Sequence, residues 1–267
     1  MFDAGELERI LDRNRNDWKV VPSTRANDFI TYLEKNSKLK HYRFKFPSRP
    51  TIRYIWDSAS DYELVQSLRP KSYFTHYTSM LLHGLTDQIP KTIYLNFEQK
   101  ATGGGGSLEQ ANINRAFKNR CRVSKNIAKF GDRNICLLNG QNTGQLGVID
   151  LGLNDGSNVR VTNIERNLID IVVRPVYSGG VFEVAKAYVE AHSKFSVNKL
   201  LSYLKKLNFT YPYYQAIGFY LERSGKYDES QLSLFRDIER DFDFYLTHNM
   251  AETDYVKEWK LFVPKGF

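Results

Sequence analysis

The chain has 267 residues, 42% of them apolar and 14% aromatic, enough for one large core or for a small unit followed by a larger one. Its formal charge of +8 and pI near 9.3 favour an acidic partner and say nothing of the fold. No apolar run of spanning length or leader is seen, Cys121 and Cys136 lack metal-ligand spacing, and His41, His76, His83, His192 and His248 stand singly, so the expectation is a cytoplasmic chain without a metal or cofactor.

In chain order, Leu7, Ile10 and Leu11 after Asp3 predict a helix over about 4–14. Trp18 to Val21 reads as a short strand or packed turn. Pro22-Ser23 offers a cap for a second helix, which carries Phe29, Ile30 and Leu33 and stops near Asn36. Tyr42, Phe44 and Phe46 then alternate with Arg43 and Lys45, Pro47 to Pro50 turns, and Ile52, Tyr54 and Trp56 alternate again. The pattern is a hairpin with one face in the core and one basic face in water. After the polar break Asp57 to Asp61, helices are expected from Tyr62 and over about 75–83, and a strand over 92–97. Gly103 to Ser107 reads as a flexible loop; it lacks the Lys-Ser/Thr ending of a phosphate-binding loop. Strands over 135–138 and 147–151, with Asn139-Gly140 as a turn signal, precede helices over about 163–173, 182–191, 197–207 and 213–223. The tail reads as two late strands, over 241–246 and 259–263.

Charge is concentrated at the front. Residues 1–56 hold twelve Lys and Arg against seven Asp and Glu, and Lys35, Lys38, Lys40, Arg43, Lys45, Arg49 and Arg53 follow one another with no acid between them. Such a run repels itself unless a polyanion shares the surface, whereas the bland reading is a solvated face. Helix, helix and basic hairpin is the order of a winged helix-turn-helix, though a third helix is not evident. On this reading Arg25, Asn27 and Thr31 face base edges, and Lys38, Lys40, Arg43, Lys45, Arg49 and Arg53 contact phosphates. The expected fold class is α+β: a winged helix-turn-helix-like domain over 1–57, then a larger mixed α/β domain over 58–267.

The best-organised charged cluster is Thr162 to Asp170, then Arg174-Pro175 and Gly179-Gly180. Thr162 and Glu165 stand at capping-box spacing, and Arg166 and Asp170 stand four apart on one face. By physics alone this is a well-made helix start. The stretch also resembles the C-terminal domain of the AbiEi antitoxin family, in which a Thr-x-x-Glu-Arg-x-Leu-x-Asp helix precedes a Gly-Gly helix. His76 to Leu85, with His83-Gly84-Leu85, is similar to that family's early helix, and Lys91 to Leu95 to the strand that follows.

The resemblance, over about 70–225, implies an autorepressing antitoxin of a type IV toxin–antitoxin system. Such a protein binds operator DNA and neutralises a nucleotidyltransferase-like toxin, with no catalysis and no cofactor of its own. His83, Gly84, Thr162, Glu165, Arg166, Asp170, Arg174, Pro175, Gly179 and Gly180 carry the family pattern. Two alternatives stand beside it. One is a winged-helix regulator whose C-terminal domain senses a ligand or dimerises. The other, a poorer fit, is a metal-dependent nuclease built on Asp150 and Glu165 with Lys186 or Arg166.

Overall fold

Asp3 and Glu6 exchange hydrogen bonds, each carboxylate accepting from the other's backbone N–H at 2.7 and 2.8 Å, and this capping box starts helix α1 (Ala4–Asn14) in the computed structural model. The structure describes residues 1–100 and 108–267. Trp18 lies in a turn, half-exposed, with its ring stacked 5.9 Å from that of Phe29 in α2 (Ala26–Asn36), and no helix stands between α1 and α2. Arg25, not Ser23, precedes the first turn of α2. The Arg15 guanidinium instead holds the connection, donating to the carbonyls of Val21, Pro22 and Thr24 at 3.1–3.3 Å.

The hairpin pairs β1 (Leu39–Lys45) with β2 (Pro50–Trp56), from Leu39 opposite Trp56 to Lys45 opposite Pro50, and Phe2 adds a bridge to Tyr54. Both of its faces are used. Leu39 and Tyr54 pack on Leu7 and Ile30 of the two helices, while Phe44 and Ile55, on the opposite face, enter a core with Leu64, Val65 and Leu68. The expectation of one core face and one basic face is therefore corrected. Side chains alternate along a strand, so Arg43 and Lys45 share the face of Leu39 whereas Lys40 shares that of Phe44. The same apolar cluster thus runs across residue 57, from the hairpin into the body.

In the body, Ser60 and Glu63 form a capping box for α3 (Asp61–Gln66), followed by β3 (Tyr73–Phe74), α4 (His76–Leu82), β4 (Thr92–Glu98) and α5 (Gln110–Lys118). Then come β5 (Ile127–Phe130), β6 (Arg133–Gly140), β7 (Val148–Gly152) and β8 (Asn158–Thr162). These strands make a mixed six-stranded sheet in the order β5-β6-β4-β3-β8-β7, in which β4/β6 and β3/β8 are parallel. Strand β6 runs through Asn139-Gly140, so that pair is not a turn. The loop expected at Gly103 to Ser107 lies outside the described residues.

The two faces of this sheet differ in chemistry. Phe74, Ile93, Leu95, Ile135, Leu137, Val159 and Val161 form the apolar face that receives the hairpin and α3. By period-two alternation Tyr73, Tyr94, Asn96, Glu98, Cys136 and Thr162 lie on the other. A second core is built by α6 (Ile164–Val173), α7 (Val181–Glu190), α8 (Val197–Leu207), α9 (Tyr213–Ser224) and α10 (Glu229–Arg236). The tail belongs to it. β9 (Phe244–Tyr245), β10 (Thr253–Val256) and β11 (Leu261–Pro264) form a small sheet, with β9 parallel to β11. Fully buried Trp259 donates its indole N–H to Glu222 at 2.6 Å and lies over Gly218, where a Cβ would stand 2.2 Å from the indole ring.

Candidate nucleic-acid interface and motif cleft

Lys38, Lys40, Arg43, Lys45 and Arg49 are all exposed on or beside the hairpin. Among the described residues Arg25, Lys40, Arg43, Lys45 and Arg49 have no ion-pair partner, and Lys38 pairs with exposed Asp57 at 2.8 Å. Arg53 is different. Half-buried, it donates to the carbonyls of Ile52, Ser67 and Leu68 at 2.9, 2.9 and 3.2 Å, and burial lowers its pKa. Its donors are committed to tying the hairpin to the end of α3, so it is corrected from phosphate contact to structural anchor. On α2, Asn27, Thr31 and Lys35 are exposed at four-residue spacing and form one polar stripe, with Arg25 at its start. His41, on β1, sits against Glu34 at 2.5 Å.

The second cluster is buried. Asn163, not Thr162, caps α6, its side chain accepting from the Arg166 N–H at 3.0 Å. Thr162 ends β8, with its hydroxyl on Ser79 and its carbonyl 2.7 Å from His83 Nε2. The expected Thr162–Glu165 capping box is thus replaced: the Glu165 carboxylate accepts from the Ser196 N–H and faces Lys199 Nζ at 3.3 Å, tying α6 to α8. Gly84 closes α4 with φ +60°. Buried Pro175 starts a 3-10 turn over 175–177, and Gly179 and Gly180, at φ +80° and +91°, hold a conformation that side chains resist immediately before α7.

Arg166 and Asp170 form the expected pair, Nε to Oδ1 at 2.8 Å, both buried. Burial alone would lower the Arg166 pKa; the Asp170 carboxylate beside it, together with Tyr73 and Glu98, outweighs this and raises it. Arg166 also donates to the Thr143 hydroxyl and the Leu146 carbonyl, at 3.1 and 2.8 Å, and Asp170 accepts from the Thr75 hydroxyl at 3.0 Å. Next to them, Glu98 accepts from Thr143, from the Gln145 N–H and from the Tyr73 hydroxyl. Burial would raise its pKa, but these donors together lower it. Asn96 in turn donates to the Tyr73 hydroxyl at 2.7 Å.

This network floors a cleft of about 640 Å³ between the polar sheet face and the C-terminal end of α6. His76, Asn96, Gln99, Arg122, Arg166, Asp170, Arg174, Tyr177 and Tyr211 are among its lining residues. A Cβ at Gly140 would lie 2.6 Å from Asn96 Oδ1, so a glycine there lets the amide cross to β6. Buried His76 has its pKa lowered to about 4, first by burial and also by Arg166 and Arg174. Sequence reasoning singled out Arg166, Asp170 and Arg174 but missed Glu98, Asn96, Tyr73, His76 and Arg122. The signal was present in the alternation of Tyr94, Asn96 and Glu98 along a strand whose other face is apolar. Asp150 is exposed on β7 while Glu165 is buried against α8, and among the described residues no group of three or more His, Cys, Asp and Glu is placed to hold a metal ion.

No family model matches the chain, and no curated protein does. Among solved structures it is similar to the crystal structure of the RV2827C protein from Mycobacterium tuberculosis, with a TM-score of 0.61 over 96% of this chain and 85% of that one, at 12% identity. The likeness is one of fold. It spans both the helix-and-hairpin front and the body. No helix among the described residues is long and apolar enough to cross a membrane.

Proposed function

We propose that the chain is a DNA-binding antitoxin: its front unit, over 1–57, docks on operator DNA and its body, over 58–267, neutralises a nucleotidyltransferase-like toxin encoded beside it. The observation that supports DNA binding best is the exposed, unpaired set Arg25, Lys40, Arg43, Lys45 and Arg49 beside the polar stripe of α2. Cations held in water without acid partners keep their full attraction for phosphate, and each one that neutralises a phosphate releases a counterion. In this reading α2 enters the major groove with Arg25, Asn27 and Thr31 toward base edges, and the hairpin tip follows the backbone.

The antitoxin half rests on the resemblance of 162–184 and 76–95 to the AbiEi pattern. Its residues act here as scaffold: they are the caps, glycines and buried ion pair that set α4, α6 and α7. No catalytic role is assigned to any of them. Co-expression with the adjacent gene tests the reading, scored by growth. Arrest by the neighbour alone and relief by this chain support it; an innocuous neighbour, or arrest without relief, removes the toxin partner and leaves a winged-helix regulator.

A further inference from the structure

The cleft on the polar sheet face has a chemistry that neither DNA docking nor the scaffold role of α6 uses. Arg122 and Arg174 line it with no ion-pair partner among the described residues. The one side-chain hydrogen bond of Arg174 among these residues goes to Cys121 Sγ at 2.7 Å, a weak partner for a guanidinium. The only carboxylate lining the cleft among the described residues, that of Asp170, is already held by Arg166 and Thr75. The lining is therefore net positive.

Two further observations narrow the ligand. His76 is buried and its Nδ1 has no hydrogen-bond partner among the described residues, an arrangement that costs stability unless something polar meets it. The Tyr177 ring stands 5.3 Å from the rings of both His76 and Tyr94, and Tyr211 lines the same space, so aromatic faces adjoin the cationic groups. A cleft of about 640 Å³ is the size of a small-molecule site.

We propose that this cleft binds a nucleotide, with its phosphates on Arg122 and Arg174 and its base against the aromatic wall near His76 and Asn96. Guanidinium forks match phosphate oxygens in pairs, and tyrosine rings stack on any base. Such a ligand bridges β4, β6 and the end of α6, so its binding is a ligand input to the body, separate from the DNA surface.

The experiment is calorimetric titration of the full chain with ATP, GTP, CTP and UTP, each with magnesium, and in parallel with adenosine, guanosine, cytidine, uridine and inorganic phosphate. The expected result is binding of at least one nucleoside triphosphate, with its nucleoside and inorganic phosphate each at least tenfold weaker. Arg122 is exposed, so Arg122→Gln should keep the circular dichroism spectrum and weaken binding at least tenfold. A chain carrying Lys40→Glu, Arg43→Glu and Lys45→Glu should bind the nucleotide as before. No binding by any triphosphate overturns the proposal, as does equal binding of inorganic phosphate or affinity indifferent to Arg122→Gln. Loss in the hairpin variant also overturns it, because the nucleotide would then sit on the basic front.

Discussion

The basic front and the α6 motif use the same residue types to opposite ends. In the front unit, Arg25, Lys40, Arg43, Lys45 and Arg49 stand in water with no ion-pair partner among the described residues, where their charge is available to a polyanion. In α6 the Arg166 guanidinium is buried against Asp170, Thr143 and Leu146, so its charge is spent on holding the cleft floor together. Arg53 shows that position in the chain does not decide the matter: it lies in the acid-free run yet behaves like a body residue, with its donors on three carbonyls. What a basic residue does is read from its partners.

Breaking the buried pair should have the largest effect. Asp170→Ala leaves Arg166 buried without its carboxylate, and a loss of about 3–5 kcal/mol in urea unfolding is expected; a loss below about 1 kcal/mol would mean that water reaches Arg166. Gly218→Ala should follow, since a methyl cannot share space with the Trp259 ring; overpacking of this kind costs about 1–3 kcal/mol, seen as a lowered Tm.

The histidines sharpen the contrast through pH. Folded His76 binds a proton only near pH 4, whereas unfolded it does so near 6.5, so the unfolded chain takes up more protons between those values. Stability from this group is complete above about pH 6.5 and is lost as pH falls toward 4, by at most about 1.4 kcal/mol per pH unit. His248, lowered to about 4 by burial and by Arg174, acts in the same direction. His76→Asn keeps a side chain that tolerates the positive φ of 52° there and should flatten the acid limb of a stability-against-pH curve, leaving the part that belongs to His248 and to His83, whose pKa burial also lowers. An unchanged limb would contradict the buried, neutral assignment. Arg53→Ala should cost about 1 kcal/mol, because three carbonyls are left without their guanidinium donor, and should leave the salt dependence of DNA binding nearly unchanged.

Much of the fold was legible where apolar spacing and caps agree. α1 and α8 stand at the bounds their spacing predicts, and the hairpin and β4 fall where alternation places them. Short or weakly patterned elements were not. β3 has two residues and is defined by its neighbours, and α5 offers only Ile113 and Phe117 to a core. α10 was missed although Asp228 and Gln231 stand at capping-box spacing. Asn163 displaced Thr162 as the cap because β8 claims Thr162 for the sheet, a tertiary choice that local spacing cannot show. The cleft was half legible: its charged helix residues were visible, but the partners Asn96 and Glu98 come from β4 and His76 from the start of α4, all distant in sequence from α6. The tail pattern gave strands at its two ends but not that Trp259 completes the helical core.

Binding of duplex DNA by the exposed front, through its unpaired cations, is tested most directly by fluorescence anisotropy with the DNA upstream of the gene across a salt series. Wild type should show a steep fall of affinity with salt. Lys40→Glu, Arg43→Glu and Lys45→Glu together should cut the slope by about 0.9 for each phosphate that is no longer neutralised, while Arg53→Ala keeps it. Wild-type affinity and slope in the triple variant, with its fold intact, would contradict DNA binding through this surface.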